Sequence, residues 1–327
     1  MMLNRRRRGV LAVMAGLMAH PLRNAVAQAP QGKPTRFIVP FGAGGTSDVV
    51  ARMLAQQLGN SLGGPVVVEN RPGAGGVIAI ETVARAEPDG RTLLFGSNSV
   101  TLLPLTQKNL PYQSADIRPL VRVRAGPTYI AINTKLAIGN MQEFVKYART
   151  HPGVARYGSG GNGTILHLIG EWIKLRANID LVHVPYKSIS SAVVDASNGD
   201  LEMVLAGPTD LAPFVSAGKL KIIAISGERR STILPEIPTM VECGFPGFTT
   251  VNWNGLFAPK GVPEETVRHI SEKVAQAASA PEFLRRGLSL DVEPGNVLGT
   301  DDFAAFLQAE TDRYSEIIKK AKLDLLV

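Results

Sequence analysis

The chain has 327 residues, a formal net charge of +7 and a single cysteine, Cys243. One cysteine excludes an internal disulfide and any metal site built on several cysteines. A net positive charge can indicate a nucleic-acid partner. Here most of the excess of basic over acidic residues lies in the N-terminal segment, so the rest of the chain gives no such indication.

Residues 1–27 have the composition of an export signal. Residues 5–8 are four arginines, residues 10–19 are apolar, and Ala-Val-Ala at 25–27 is a small-residue cleavage site. The apolar stretch is too short to span a bilayer as a helix. Five of the 35 basic residues lie in this signal, so residues 28–327 carry 30 basic and 28 acidic residues, a net charge near +2. We therefore expect a periplasmic protein, exported by the general or the twin-arginine route, with no nucleic-acid partner.

Residues 36–59 predict a strand, a glycine-rich loop and an amphipathic helix. Residues 36–40 are apolar and partly β-branched, as in a buried strand. Three glycines follow: Gly42, Gly44 and Gly45. Thr46 or Ser47 is expected to cap the helix. Free amides at a helix N-terminus suit an anion; the alternative is a tight turn that binds nothing.

Strands continue to alternate with helices, which predicts a parallel, doubly wound sheet. Strands are expected at 66–69 and 92–95, with a helix at 77–86 between them. Loops that follow such strands meet at one edge of the sheet, where ligands bind. Three loops rich in Gly, Ser, Thr and Asn would share that edge: 41–47, 70–76 and 96–101.

A similar order of elements begins again near Tyr129. Further strands are predicted at 129–133, 154–157, 181–184, 203–205 and 221–225, helices at 141–150, 164–177 and 190–197, and a loop at 207–210. An extended segment at 249–256 returns the chain to the first unit, and helices close it at 264–278, 281–287 and 301–322. We therefore expect two α/β lobes with a ligand cleft between them: residues 28–128 with 252–327, and residues 129–251.

The loop at 158–163 spells G-x-G-x-x-G between a strand and a helix, the pattern of a dinucleotide site. That site also needs an acid at the end of the next strand, and Asp180 stands at its beginning. A nest of amides for a small anion is therefore favoured, and no cofactor is expected. The histidines have no zinc-binding spacing, and neither a P-loop nor a nucleophile elbow is present. His167, beside this loop, leaves open an exported hydrolase or lyase that uses it as a base.

Six segments occur in a characteristic order: VPFGAGGTSDVVAR (39–52), VVVENRPGAGG (66–76), EPDGRTLLFGS (87–97), HVPYK (183–187), LPEIPTMVECGFPGF (234–248) and WNGLFAPKGVPEE (253–265). Together they resemble the Bug family of periplasmic solute receptors, the substrate-binding components of tripartite tricarboxylate transporters. The resemblance implies an α/β type II periplasmic-binding-protein fold. It also implies a small organic carboxylate as ligand and two integral-membrane transporter subunits as partners.

On these grounds we expect a monomeric receptor, not an enzyme, with no metal. The expected ligand-binding residues are Phe41, Gly44, Gly45, Thr46, Asp48, Ser97, Asn98, Ser99, Ser159, Gly163, Thr164, His167, Tyr186, Lys187, Ser188 and Asp210. Among them, Asp48 is expected to support the loop amides from the first turn of the helix, since it cannot itself bind an anion. A receptor that presents its closed form to a membrane sensor kinase would use the same cleft and remains an alternative.

Overall fold

The computed structural model describes residues 32–292 and 295–320, so the predicted export signal lies outside the described residues. The strands of the first sheet are β1 (Thr35–Val39), β2 (Val66–Asn70), β3 (Thr92–Ser97), β4 (Ile117–Gly126) and β10 (Asn252–Pro259). Their order across the sheet is β2-β1-β3-β10-β4. This sheet and the helices on it form the first lobe.

The second sheet defines the second lobe. Its strands are β5 (Tyr129–Asn133), β6 (Arg156–Ser159), β7 (Val182–Pro185), β8 (Met203–Ala206) and β9 (Leu220–Ile225). Their order across the sheet is β7-β6-β8-β5-β9. As in the first sheet, the glycine-rich turns follow the carboxyl ends of parallel strands, at the edge where α/β proteins place their ligands.

Both sheets are mixed, which corrects the prediction of a purely parallel sheet. β10 runs antiparallel to β3 and β4, and β5 runs antiparallel to β8 and β9. β10 enters the first sheet directly from the second lobe, so no helical crossover fixes it parallel to its neighbours. β4 was not predicted, because arginines interrupt its apolar residues.

The helices are α1 (Thr46–Leu58), α2 (Val77–Ala84), α3 (Ser99–Thr106), α4 (Met141–Thr150), α5 (Ile165–Ala177), α6 (Ile189–Asn198), α7 (Pro208–Ser216), α8 (Glu264–Ala278), α9 (Pro281–Gly287) and α10 (Thr300–Lys320). Two of them begin where loops were predicted. α3 begins at Ser99 and occupies the second half of the expected loop at 96–101, and α7 starts with Pro208, a residue favoured at the first helical position. Asp210 therefore lies on a helix rather than in a loop.

Apolar side chains cover both faces of each sheet, so each lobe has its own core. α10 joins the two cores, because Phe303 packs in the first and Tyr314 and Ile317 pack in the second. All three side chains are buried. The helix therefore connects the lobes in addition to the two chain crossings.

The segment after α9 is attached to the second lobe. The Tyr129 hydroxyl of β5 donates to Asp291 Oδ1 at 3.0 Å, and the Ser231 hydroxyl donates to the same oxygen at 3.2 Å. α9 itself packs on the first lobe through Phe283. Residues 281–291 consequently connect the lobes on one side of the cleft.

Candidate ligand-binding cleft

The turn after β1 is supported by a buried aspartate. Gly44 adopts a φ of +87°, which glycine tolerates, and its amide donates to Asp48 Oδ2 at 2.9 Å. The Asp48 carboxylate also accepts hydrogen bonds from Arg52 Nε and Asn70 Nδ2. Burial acts to raise the pKa of Asp48, but these three bonds outweigh it and lower the pKa. Asp48 is therefore ionised at neutral pH and holds the turn in place.

The first residues of α1 correct the predicted cap. The residue before the helix is Gly45, in an extended conformation and without a side-chain cap. The Ser47 hydroxyl instead accepts a hydrogen bond from the Asn254 side chain at 2.9 Å. The Thr46 hydroxyl lies 3.2 Å from that of Thr209 in α7. Because α1 belongs to the first lobe and α7 to the second, the Thr46–Thr209 hydroxyl pair joins the lobes across the cleft.

The end of β3 brings three more expected residues to this edge. The hydroxyls of Ser97 and Ser99 lie 3.3 Å apart. The Asn98 side chain donates to the Val251 carbonyl and to the Tyr314 hydroxyl, each at 2.9 Å. Both N–H groups of the Asn98 amide are thus committed within the protein, to the crossing between lobes and to α10.

The turn between β6 and α5 is held by hydroxyl and imidazole groups. Thr164 caps α5: its hydroxyl accepts from the His167 amide and donates to the Gly161 carbonyl. The Gly163 amide donates to His167 Nδ1 at 3.2 Å, and the Gly161 amide donates to Ser159 Oγ at 3.1 Å. No charged side chain takes part in these bonds.

His183, which the sequence did not assign to the site, stands at the centre of this support. Its ring stacks on that of His167 with 3.9 Å between ring centres, and on that of Tyr157 with 4.9 Å. Its Nε2 lies 2.7 Å from Ser159 Oγ. Burial, and then the neighbouring His167, lower the pKa of His183 to about 4; burial also lowers the pKa of His167. Both rings are neutral at pH 7, so this turn presents dipoles rather than charge.

The remaining expected residues of the second lobe follow β7. Lys187 and Ser188 are exposed, as is Phe41 in the first turn. Within residues 32–292 and 295–320, Lys187 forms no ion pair with a carboxylate. The Tyr186 hydroxyl donates to Asp195 Oδ2 at 2.7 Å, so the Tyr186 side chain points towards α6. Among the described residues, Lys187 thus adds an unpaired positive charge beside the end of β7.

Asp210 lies in the first turn of α7, beside the Thr46–Thr209 hydroxyl pair. A Cβ added at Gly207 would lie 3.4 Å from Asp210 Oδ2 and equally close to Thr46 Oγ1, at ordinary van der Waals distance from each lobe. Burial raises the pKa of the Asp210 carboxyl, and the Gly207 amide opposes that shift. The lobes are therefore in close contact at this point.

A second contact between the lobes involves α3. Gly163 has a φ of +71°, and a Cβ added to it would lie 3.2 Å from Thr106 Oγ1. Neither Thr106 nor Thr209 was among the expected residues. No local pattern in the sequence indicates which residues meet across a cleft.

Amides, hydroxyls and helix N-termini thus lie beside the two contacts between the lobes, and groups of this kind suit an anion. In the described ranges, no three His, Cys, Asp or Glu side chains are grouped so that they could hold a metal ion. Among the helices of the same ranges, none has the length and apolar character needed to cross a membrane. The fold and the cleft together are those of a two-lobed solute-binding protein of the periplasmic type.

A family model described as the tripartite tricarboxylate transporter family receptor, TctC, matches residues 50–323. The chain belongs to this family, and its resemblance to the Bug receptors is confirmed. BugT of Bordetella pertussis is 32% identical over 324 residues, which cover 95% of each chain. The members of this family are receptors rather than enzymes, so His167 as a catalytic base has no support.

Three similar solved structures extend the comparison. The periplasmic binding protein BugD has 29% identity and a TM-score of 0.79, over 88% of this chain and 97% of BugD. A Rhodopseudomonas palustris protein solved with adipate has 27% identity and a TM-score of 0.83, over 89% and 98%. MatC from the same organism, solved with bound malate, has 26% identity and a TM-score of 0.76, over 88% and 99%.

Proposed function

We propose that this protein is a periplasmic receptor that captures a small organic carboxylate between its lobes and delivers it to a tripartite tricarboxylate transporter. The observation that carries the proposal is that the first glycine-rich turn, which opens α1 in one lobe, lies against the N-terminus of α7 in the other lobe. The Thr46–Thr209 hydroxyl pair, 3.2 Å apart, brings the lobes together beside the first turn. Helix N-termini favour a carboxylate through their free amides and dipole. The adipate and malate found in the similar proteins support the same ligand class.

In this proposal the first lobe comprises residues 28–128 and 252–327, and the second comprises residues 129–251. Residues 1–27 direct export and are removed, and the receptor works as a monomer with two integral-membrane subunits. Within the proposed ligand set, the structure gives Asp48 and Asn98 internal partners, so they act by holding the cleft in shape. Direct contacts come from the amides of the first turn, the hydroxyls of both lobes and Lys187.

The test is a thermal-shift screen of residues 28–327 against organic acids, followed by calorimetry. A ligand at about 100 times its Kd is expected to stabilise the fold by about 2.7 kcal/mol, which raises Tm measurably. Gly45→Val is expected to abolish this shift, because the added side chain stands at the N-terminus of α1. Gly42→Val is the matched control in the same turn, since a Cβ there has nothing within 4 Å.

The two variants separate loss of binding from loss of folding. Both are expected to unfold at the temperature of the ligand-free wild type. A carboxylate that shifts the wild type and Gly42→Val, but not Gly45→Val, supports the proposal. Equal binding by all three proteins would place the ligand away from the first turn, and no binding of any carboxylate by the wild type would overturn the ligand class.

A further inference from the structure

A cavity of about 430 Å³ lies where α1, α7 and α9 approach one another. Gly44 and Thr46 at the N-terminus of α1 form one wall, together with Thr209 of α7. Val49 and Met53, on the following turns of α1, add an apolar strip. The cavity therefore shares the first glycine turn with the cleft and continues from it along one side of α1.

The opposite wall carries a positive charge that no acid neutralises within the described ranges. Arg286 and Ser289 line the cavity there. Arg286 Nη1 donates to Gln56 Oε1 at 2.9 Å, a neutral partner, whereas the adjacent Arg285 pairs with Glu282. Two neighbouring arginines of one helix thus differ in surroundings: one is paired with an acid, and the other faces a cavity.

Elsewhere at the cleft, positive charge is scarce. His167 and His183 are neutral at pH 7 because their pKa values are lowered, and Lys187 is exposed. A ligand with one carboxylate is served by the turn amides alone. A ligand with a second carboxylate needs a second favourable place for it, since an uncompensated charge is costly to remove from water. Arg286, across an apolar strip from the first turn, provides such a place.

We propose that this cavity is the subsite for the distal carboxylate of a straight-chain dicarboxylate, with Arg286 as the residue that selects diacids over monoacids. This rests on the proposed function. One carboxylate binds at the N-terminus of α1, the methylene chain lies along Val49 and Met53, and the second carboxylate meets Arg286 and the Ser289 hydroxyl. An exposed guanidinium contributes only modestly to the binding of a carboxylate. We therefore expect the Kd values of a diacid and of the matching monoacid to differ several-fold.

The experiment compares acids that differ only in the second carboxylate. Calorimetry is performed with succinate, glutarate, adipate and pimelate, each against the monocarboxylate of the same chain length. The proteins are the wild type, Arg286→Gln and Arg285→Gln, which carry the same change in net charge. The Kd of the best diacid is expected to rise about fivefold in Arg286→Gln and to stay within error of wild type in Arg285→Gln. The Kd of its monoacid partner is expected to be equal in all three proteins.

The other outcomes are distinct. If the wild type binds diacids no better than monoacids, or if both arginine variants lose the same affinity, the subsite is overturned while the receptor function stands. If the variants bind every acid as the wild type does, the subsite is likewise overturned. If the wild type binds no acid in this series or in the wider screen, the proposed function fails first.

Discussion

The two glycine-rich turns have the same backbone arrangement but different chemical support. In the first lobe the Gly44 amide donates to Asp48, four residues ahead; in the second lobe the Gly163 amide donates to His167, also four residues ahead. The first acceptor is an ionised carboxylate bonded to Arg52, and the second is a neutral imidazole stacked on His183. In both turns, a hydrogen-bond acceptor in the first turn of the helix holds the glycine amide in place. The acceptor is charged in one lobe and neutral in the other. The two turns should therefore lose their support over different pH ranges.

The largest effect is expected from Gly170→Ala in α5, behind the second turn. A Cβ there would lie 2.1 Å from the ring of Tyr157, which is fully buried and donates to Glu171. Forcing the ring aside costs about 3 kcal/mol of unfolding free energy, measurable by urea denaturation. Gly160→Ala, with nothing within 4 Å of its Cβ, is the control and should be nearly neutral. Similar losses in both would mean that the ring moves freely and does not support the turn.

Asp48→Ala tests the support of the first turn. It leaves the Gly44 amide and Arg52 without their acceptor, and we expect a loss of about 2 kcal/mol at pH 7. Asp312→Ala, an exposed aspartate on α10 whose oxygen accepts from Gln308, controls for the change in charge. The pKa of Asp48 is lowered from 3.8, so its contribution is present above that value and disappears as the pH falls through the folded-state pKa. A loss that persists undiminished in strong acid would argue against an electrostatic support.

The second turn is expected to weaken at milder acidity. The pKa of His183 falls from 6.5 to about 4 on folding, so the unfolded chain takes up a proton first and stability declines as the pH drops from 6.5 towards 4. Glu171 and Lys174 face the histidine stack. Glu171 raises the pKa of His167 and Lys174 lowers it, so the two effects oppose each other. We expect the wild type to lose about 1 kcal/mol more than His183→Gln between pH 7.5 and 5. If the stability of the two proteins changed in parallel with pH, the histidine stack would not be the origin of the acid sensitivity.

The smallest effect is expected at the contact between the lobes. Thr209→Val keeps the shape of the side chain but removes the hydroxyl that meets Thr46. The part-exposed bond contributes about 0.5 kcal/mol, so the ligand-free population shifts slightly towards open forms. Small-angle scattering should show a larger radius of gyration without ligand and an unchanged one with saturating ligand. An unchanged radius in both conditions would mean that other contacts, such as Gly163 with Thr106, hold the lobes together.

Much of the architecture was predictable because it depends on short sequence patterns. The opening strand, the glycine turn and α1 follow from apolar runs and from the glycines at 42–45, and the predicted helices 141–150, 264–278 and 281–287 match α4, α8 and α9. The family could be named because several of its motifs, such as 39–52 and 66–76, lie where a strand passes through a turn into a helix. Local patterns suffice wherever neighbouring residues decide the structure.

Features that depend on distant residues were missed. The antiparallel course of β10 depends on where the chain re-enters the sheet, and α3 contains Pro104, which argues against a helix when the sequence is considered alone. His183 lies within the HVPYK segment, but only the fold shows that its ring stacks on His167. Arg286 looked like any surface arginine, because the cavity beside it is formed by residues from three separate helices.

The position of β10 in its sheet has a consequence for how the protein is made. β10 lies between β3 and β4, yet it is residues 252–259, which emerge only after every strand of the second sheet. The first sheet therefore stays divided, with β4 unattached to β1–β3, until the second lobe has been synthesised. The second sheet is contiguous in sequence, over 129–225, and is free to form earlier. On this topology the lobe that contains β1 is the last to be completed, and the facing edges of β3 and β4 stay unpaired in the meantime.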